Sequence, residues 1–105
     1  MPAIKAFLEH VLEKLTSLGP VTGRSMFGGF GVFHDEEMFG LISNDVLYLK
    51  ADDSNREDYL SRGSSQYKPM PYFRVPDDVF ENSEDLSRWA QKSVAIAHAP
   101  PKKKK

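Results

Sequence analysis

Residues 23–33 read Gly23-Arg24-Ser25-Met26-Phe27-Gly28-Gly29-Phe30-Gly31-Val32-Phe33, three glycines within four positions of an aromatic run. The aromatic and β-branched residues call for a strand, whereas glycine weakens one and leaves nothing to pack. A glycine cluster in that setting marks a bulge, or a close approach by another backbone or a ligand. The expectation is a bulged strand beside a helix-covered core, with Gly29 supplying backbone freedom.

The surrounding pattern defines the architecture. Ile4, Phe7, Leu8, Val11, Leu12, Leu15 and Leu18 recur at three- and four-residue steps and predict an amphipathic helix, stopped by Gly19-Pro20. Phe27, Phe30, Val32 and Phe33, then Met38, Phe39, Leu41 and Ile42, then Val46 to Leu49 predict three strands of an antiparallel meander. The Asn44-Asp45 link between the last two suits a primed hairpin turn, because both residues tolerate positive φ. Ser54 and Glu57 have the spacing of a capping box for a short helix with Tyr59 and Leu60 inward and Gly63 at its end. Pro69 and Pro71 each remove a ladder donor, which puts the segment from Tyr67 to Val75 at a sheet edge or in a loop. Asn82-Ser83-Glu84-Asp85 caps a final helix with Leu86, Trp89, Ala90, Val94 and Ala97 on its apolar side. The predicted order is α-β-β-β-α-β-β-α, an α+β domain in two layers with helices mainly on one face of an antiparallel sheet. One domain is expected over residues 1–99, followed by a disordered Pro/Lys tail over 100–105.

Composition narrows the chemistry. The 105 residues contain no cysteine, which removes disulfides, iron–sulfur clusters and a thiol nucleophile. No apolar run approaches the roughly 20 residues of a membrane span, and a cytoplasmic protein is expected. Four of the 14 basic residues are the terminal lysines 102–105, so the body carries ten Lys/Arg against 15 Asp/Glu, a formal charge of −5. A body that acidic repels a phosphate backbone unless its cations gather on one face. Specific DNA binding is therefore not expected, and the lysine run reads as a solvated tail.

No motif of hydrolytic or nucleotide chemistry appears. Gly29-Phe30-Gly31 lacks the third glycine of a dinucleotide loop, and no Gly-Lys-Ser/Thr follows it. His34 stands beside Asp35, Glu36 and Glu37 without defined ligand spacing, and reads as a surface turn; His98 suits a helix C-terminus. Neither a metal nor a cofactor is expected. Arg24 can fork onto a carboxylate of a partner or of this chain.

Several blocks in order resemble one family. Residues 24–33, Met38-Phe39-Gly40-Leu41-Ile42, Leu47-Tyr48-Leu49-Lys50, Asp53-Ser54-Asn55-Arg56, Lys68-Pro69-Met70-Pro71-Tyr72 and Val75-Pro76-Asp77 are similar to the N-terminal domain of TfoX/Sxy proteins, regulators of competence genes. The resemblance covers about residues 3–98 and implies a two-layer α/β fold similar to that of secretion chaperones. Full-length members carry a second domain resembling helix-hairpin-helix modules, which has no counterpart in these residues. What is implied is a non-enzymatic regulatory domain that binds a protein partner through a sheet edge or through residues 67–72, the partner being a component of the transcription machinery. Candidate contact residues are Arg24, Gly28, Gly29, Lys68, Tyr67 and Tyr72. The alternative is a small-anion or nucleotide-binding module built on Arg24, residues 28–31 and Lys68.

Overall fold

A computed structural model describes residues 5–26, 29–67 and 70–98; the lysine tail, Gly28 and Lys68 lie outside them. Helix α1 (Lys5–Lys14) ends a turn before its apolar stripe does. The chain then tightens into a 3-10 turn over Thr16–Leu18, and Gly19 at φ 95° turns it away. The tighter turn keeps Leu15 fully buried and lets Leu18 pack against the core after the α-helix has stopped.

Five antiparallel strands follow: β1 (Val21–Met26), β2 (Gly29–His34), β3 (Glu37–Ser43), β4 (Val46–Lys50) and β5 (Tyr72–Arg74), adjacent in that order. Helix α2 (Arg56–Leu60) separates β4 from β5, and α3 (Asp77–Glu81) and α4 (Ser83–His98) close the chain. The α+β class and the antiparallel meander hold, but the order is α-β-β-β-β-α-β-α-α.

Each difference has a local cause. The run expected to form one bulged strand is two, because Met26, the last residue of β1, stands opposite Gly29, the first of β2. Strand-forming residues on both sides of that change hid it. The sheet does bulge, one strand further on: Val32 faces Gly40 while Phe33 faces Met38, so Phe39 is the extra residue on β3. Residues 67–75 supply a single three-residue strand at the sheet edge rather than two strands. The Asp77-Asp78 pair opens α3, a helix that the apolar periodicity did not announce.

The hairpins close as their residues allow. Asn44 and Asp45 take φ of 52° and 60°, the geometry of a primed turn, and Asp35 and Glu36 do the same at 51° and 71°. The Ser54/Glu57 capping box does not form. Asp52 takes the role instead, accepting from the Ser54 amide at 2.8 Å while its own amide donates to Asn55 Oδ1 at 2.9 Å. The buried Asn55 also donates to the Lys50 carbonyl, so it ties the end of β4 to the start of α2. Leu60, expected inward, is 49% exposed; the short helix turns only Tyr59 into the core. At α4, Asn82 Oδ1 accepts from the Asp85 amide at 3.0 Å, the expected cap.

One core lies between the helices and one sheet face, built from Leu8 and Val11 of α1 and Leu15 just beyond it, Val32, Phe39, Ile42, Leu47, Leu49 and Phe73 of the strands, and Leu86 and Ala90 of α4. Leu12 is only partly buried and lines an open hollow of about 390 Å³ with Glu9, Thr16 and Val21. Leu15→Ala is therefore expected to cost about 2–5 kcal/mol and Leu12→Ala under about 2 kcal/mol, since only the first leaves an enclosed cavity. Urea midpoints read the difference; equal losses would mean that α1 is rotated from the position described.

Candidate functional site

Side chains alternate across a strand, so the face opposite the core can be read from the register. It presents Arg24 and Met26 from β1, Gly29, Gly31 and Phe33 from β2, Met38 and Leu41 from β3, Tyr48 and Lys50 from β4, and Tyr72 and Arg74 from β5. Phe33, Leu41 and Tyr72 are 7%, 1% and 4% exposed, yet none belongs to the helix-side core. They are covered from their own side. The Arg24 guanidinium lies 4.6 Å from the Phe33 ring centroid. Tyr72 Oη donates to the Met38 carbonyl at 3.4 Å, and burial raises the Tyr72 phenol above its ordinary pKa. Tyr48 meets Tyr67 edge-on at 5.1 Å.

Tyr67 is placed by the backbone. Its amide donates to the Tyr72 carbonyl at 2.7 Å and the Arg74 amide donates to the Ser65 carbonyl at 3.0 Å, so residues 65–67 run beside β5. That edge is lined by the chain itself, which leaves β1 as the open edge among the described residues. Arg24 shares a sheet face with Tyr67 and Tyr72 but stands four strands away, roughly 19 Å at 4.8 Å per strand. The structure brings Lys50 and Arg74 together instead, on neighbouring strands opposite Tyr72 and Tyr48.

The glycines do not cradle a ligand. A Cβ on Gly29 would sit 2.0 Å from the Ile42 carbonyl oxygen, and Gly29 does not have positive φ. A Cβ on Gly31 would meet Met26 Sδ at 2.7 Å and Phe33 Cε1 at 2.9 Å. The space left by each missing side chain is filled by protein, so Gly29 answers to a close approach of β3 rather than to a bulge. The anion-binding alternative is not favoured. Gly29→Ala is expected to cost at least about 1 kcal/mol of unfolding free energy. Gly31→Ala should cost less, because thioethers can turn aside and a backbone carbonyl cannot.

Charge separates the two faces. Among the five strands the one acid is Glu37, opposite His34 on the helix side. The helix-free face carries Arg24, Lys50 and Arg74. Arg74 touches Asp77 at 3.4 Å in an exposed pair, whereas Arg24 and Lys50 form no ion pair among the described residues. Asp78, on α3, is held below the usual carboxylate range by its hydrogen bond from Arg62.

Two polar clusters lie on the helix side. His34 Nε2 donates to the Leu18 carbonyl at 3.0 Å, and His98 Nε2 stands 3.0 Å from His34 Nδ1 and donates to the His34 carbonyl at 2.9 Å. The two rings thus pin the end of α4 to β2: His98 is the last residue of that helix, as expected, whereas His34 is tied into the helix side rather than standing as a surface turn residue. Among the described residues no group of three or more His, Asp or Glu is placed to hold a metal ion. Deeper in, Ser93 Oγ donates to the Lys50 carbonyl at 2.7 Å beside the buried Tyr59 hydroxyl, which forms no hydrogen bond of its own.

Burial pushes the Tyr59 phenol well above its ordinary range. A raised folded-state pKa contributes stability that is complete below the unfolded value near 10 and is lost as pH rises further. Tyr59→Phe should be neutral or stabilising by up to about 1 kcal/mol at pH 7, since it removes an unpaired hydroxyl. It should also flatten the alkaline fall in stability, measured by urea titration on both sides of pH 10. A large loss at pH 7 would show that the hydroxyl is bonded.

An antiparallel sheet covered by helices on one face and by its own strand side chains on the other defines a two-layer α+β domain. No described helix is long and apolar enough to cross a membrane. The chain matches the TfoX N-terminal domain over residues 13–97 and belongs to that family. Protein Sxy of Escherichia coli (strain K12) is 27% identical over 95 residues, an alignment covering 81% of this chain and 44% of that protein. The chain thus spans less than half the length of this relative.

Sequence reasoning had singled out Arg24, Gly29, Tyr67 and Tyr72, and had missed Met26, Phe33, Met38 and Tyr48 as members of one face. For Met38 the alternation that would have shown it is interrupted at Phe39, where the bulge shifts the register.

Proposed function

We propose that this domain is a non-enzymatic regulatory module of the competence-regulator type, which binds a protein partner on the helix-free sheet face. The observation that supports it most is the make-up of that face: half-buried Met26, Met38 and Tyr48, Arg24 and Arg74 on the two outer strands, and no acidic strand residue. An apolar middle with a polar rim is the anatomy of a protein interface. Thioethers adapt to a partner's shape, and tyrosine adds contact area at small entropic cost. The open β1 edge, Tyr67 and Tyr72 border the same face.

On this reading the partner acts in transcriptional control of competence genes and the module works in the cytoplasm, a reading supported by the likeness to Protein Sxy. The acidic remainder of the domain disfavours direct DNA recognition: all 15 acids lie in helices, turns and loops or at Glu37. Met38→Glu puts a charge at the centre of the face and is expected to reduce partner capture at least about tenfold while shifting the urea midpoint little. Capture unchanged in a folded Met38→Glu protein would remove this face from consideration.

A further inference from the structure

Following the register across the sheet gives one transverse row: Arg24 opposite Gly31, Gly31 opposite Leu41, Leu41 opposite Tyr48, and Tyr48 opposite Arg74. An arginine stands at each end. Between them lie a residue without a side chain, a leucine with 1% exposure and a half-buried tyrosine. Met26, Phe33 and Met38 close over Gly31 and Leu41 is buried, so the middle of the row is packed and apolar, and its ends are cationic.

We infer that this row is the seat of an extended protein segment that crosses the strands, with an acidic side chain at each end and a large apolar one between. This rests on the protein-docking reading above and specifies the partner's chemistry. Charge complementarity carries the choice. Both arginines are exposed, and a guanidinium presents a planar fork that matches a carboxylate bidentately. Arg74 already touches Asp77 at 3.4 Å, but an exposed pair of that kind is weak and can be exchanged. Lys50, diagonal to Arg74 on the neighbouring strand, adds positive charge at that end.

The spacing is a prediction of the geometry. Four strand steps of about 4.8 Å put the arginines about 19 Å apart, and an extended chain covers that in about six residues at about 3.3 Å each. A nucleic-acid strand fits less well. Its phosphates would seek cations all along their path, whereas this row has them only at its ends, and the surrounding domain is acidic.

Fluorescence polarisation with labelled peptides of about seven residues tests the inference on the full chain. The probe has aspartate at both ends and leucine at the centre. Comparison peptides carry lysine at the ends, serine at the centre, or aspartates only about three residues apart, and a thymidine oligonucleotide is the nucleic-acid arm. The expected result is saturable binding of the probe, weakened at least about tenfold by Arg24→Glu, by Arg74→Glu and by about 0.5 M salt. Each comparison peptide should bind less well. Arg24→Gln separates lost charge from any loss of fold, with urea midpoints measured for every variant. Equal binding of the lysine-ended peptide, or indifference to both arginine substitutions, overturns the inference. So does tighter binding of the oligonucleotide that depends on Arg24. Partner capture that survives Arg24→Glu and Arg74→Glu but fails with Met38→Glu would refute the acidic segment and leave the docking face standing. Capture insensitive to all three would refute the face itself.

Discussion

The seam between α4 and the sheet is the constraint on which the other features depend. Leu86, Ala90 and Ser93 are the buried residues of that helix, spaced to lie along one side. Ala90 allows the helix to approach closely, and Ser93 anchors it by donating to the Lys50 carbonyl where β4 ends. Asn55 uses the same carbonyl, so the end of β4, the start of α2 and the middle of α4 share one buried polar point. A buried carbonyl left without a donor would be costly, and two side chains guard against that here. At its far end α4 is held by His98 against His34, which is tied in turn to the Leu18 carbonyl. With both ends secured, the helices cover one sheet face and leave the other to the strands.

The open face is then a consequence of register. Because Phe39 is an extra residue on β3, it and Ile42 reach the core while Met38 and Leu41 face outward. Without that residue the alternation would run unbroken along β3, and either Phe39 or Ile42 would leave the core. The glycines complete the arrangement: Gly29 admits the Ile42 carbonyl, and Gly31 gives up its side-chain volume to Met26, Phe33 and Met38. Structure and proposed function draw on the same residues there.

Much of this was legible in the chain. The apolar stripe of α1, the Asn44-Asp45 turn, the Asn82 cap and the edge position of β5 follow from local chemistry, in which periodicity, positive φ and missing amide donors act within a few residues. The failures share a different origin. One strand is expected across residues 24–33 because propensity does not register where one strand ends and its antiparallel neighbour begins. The capping box lost to Asp52 because burying Asn55 under the Lys50 carbonyl decided where α2 begins. Leu60 faces solvent because a five-residue helix anchored by Tyr59 has room for only one inward side chain.

The sequence by itself determined the α+β class, the family and the excess of acids over the body of the chain, since each depends on residue types and their spacing alone. It also marked Arg24 and the glycines as unusual. Only the tertiary structure decided what they are for. Whether Gly29 is a ligand loop or a point of contact depends on what lies within 4 Å of it, and that neighbour, Ile42, is 13 positions along the chain. Arg24 and Arg74 are 50 positions apart and become the two ends of one row through four successive strand pairings. Register is a long-range property: it is set by which faces are buried, and a single extra residue changes it for everything that follows.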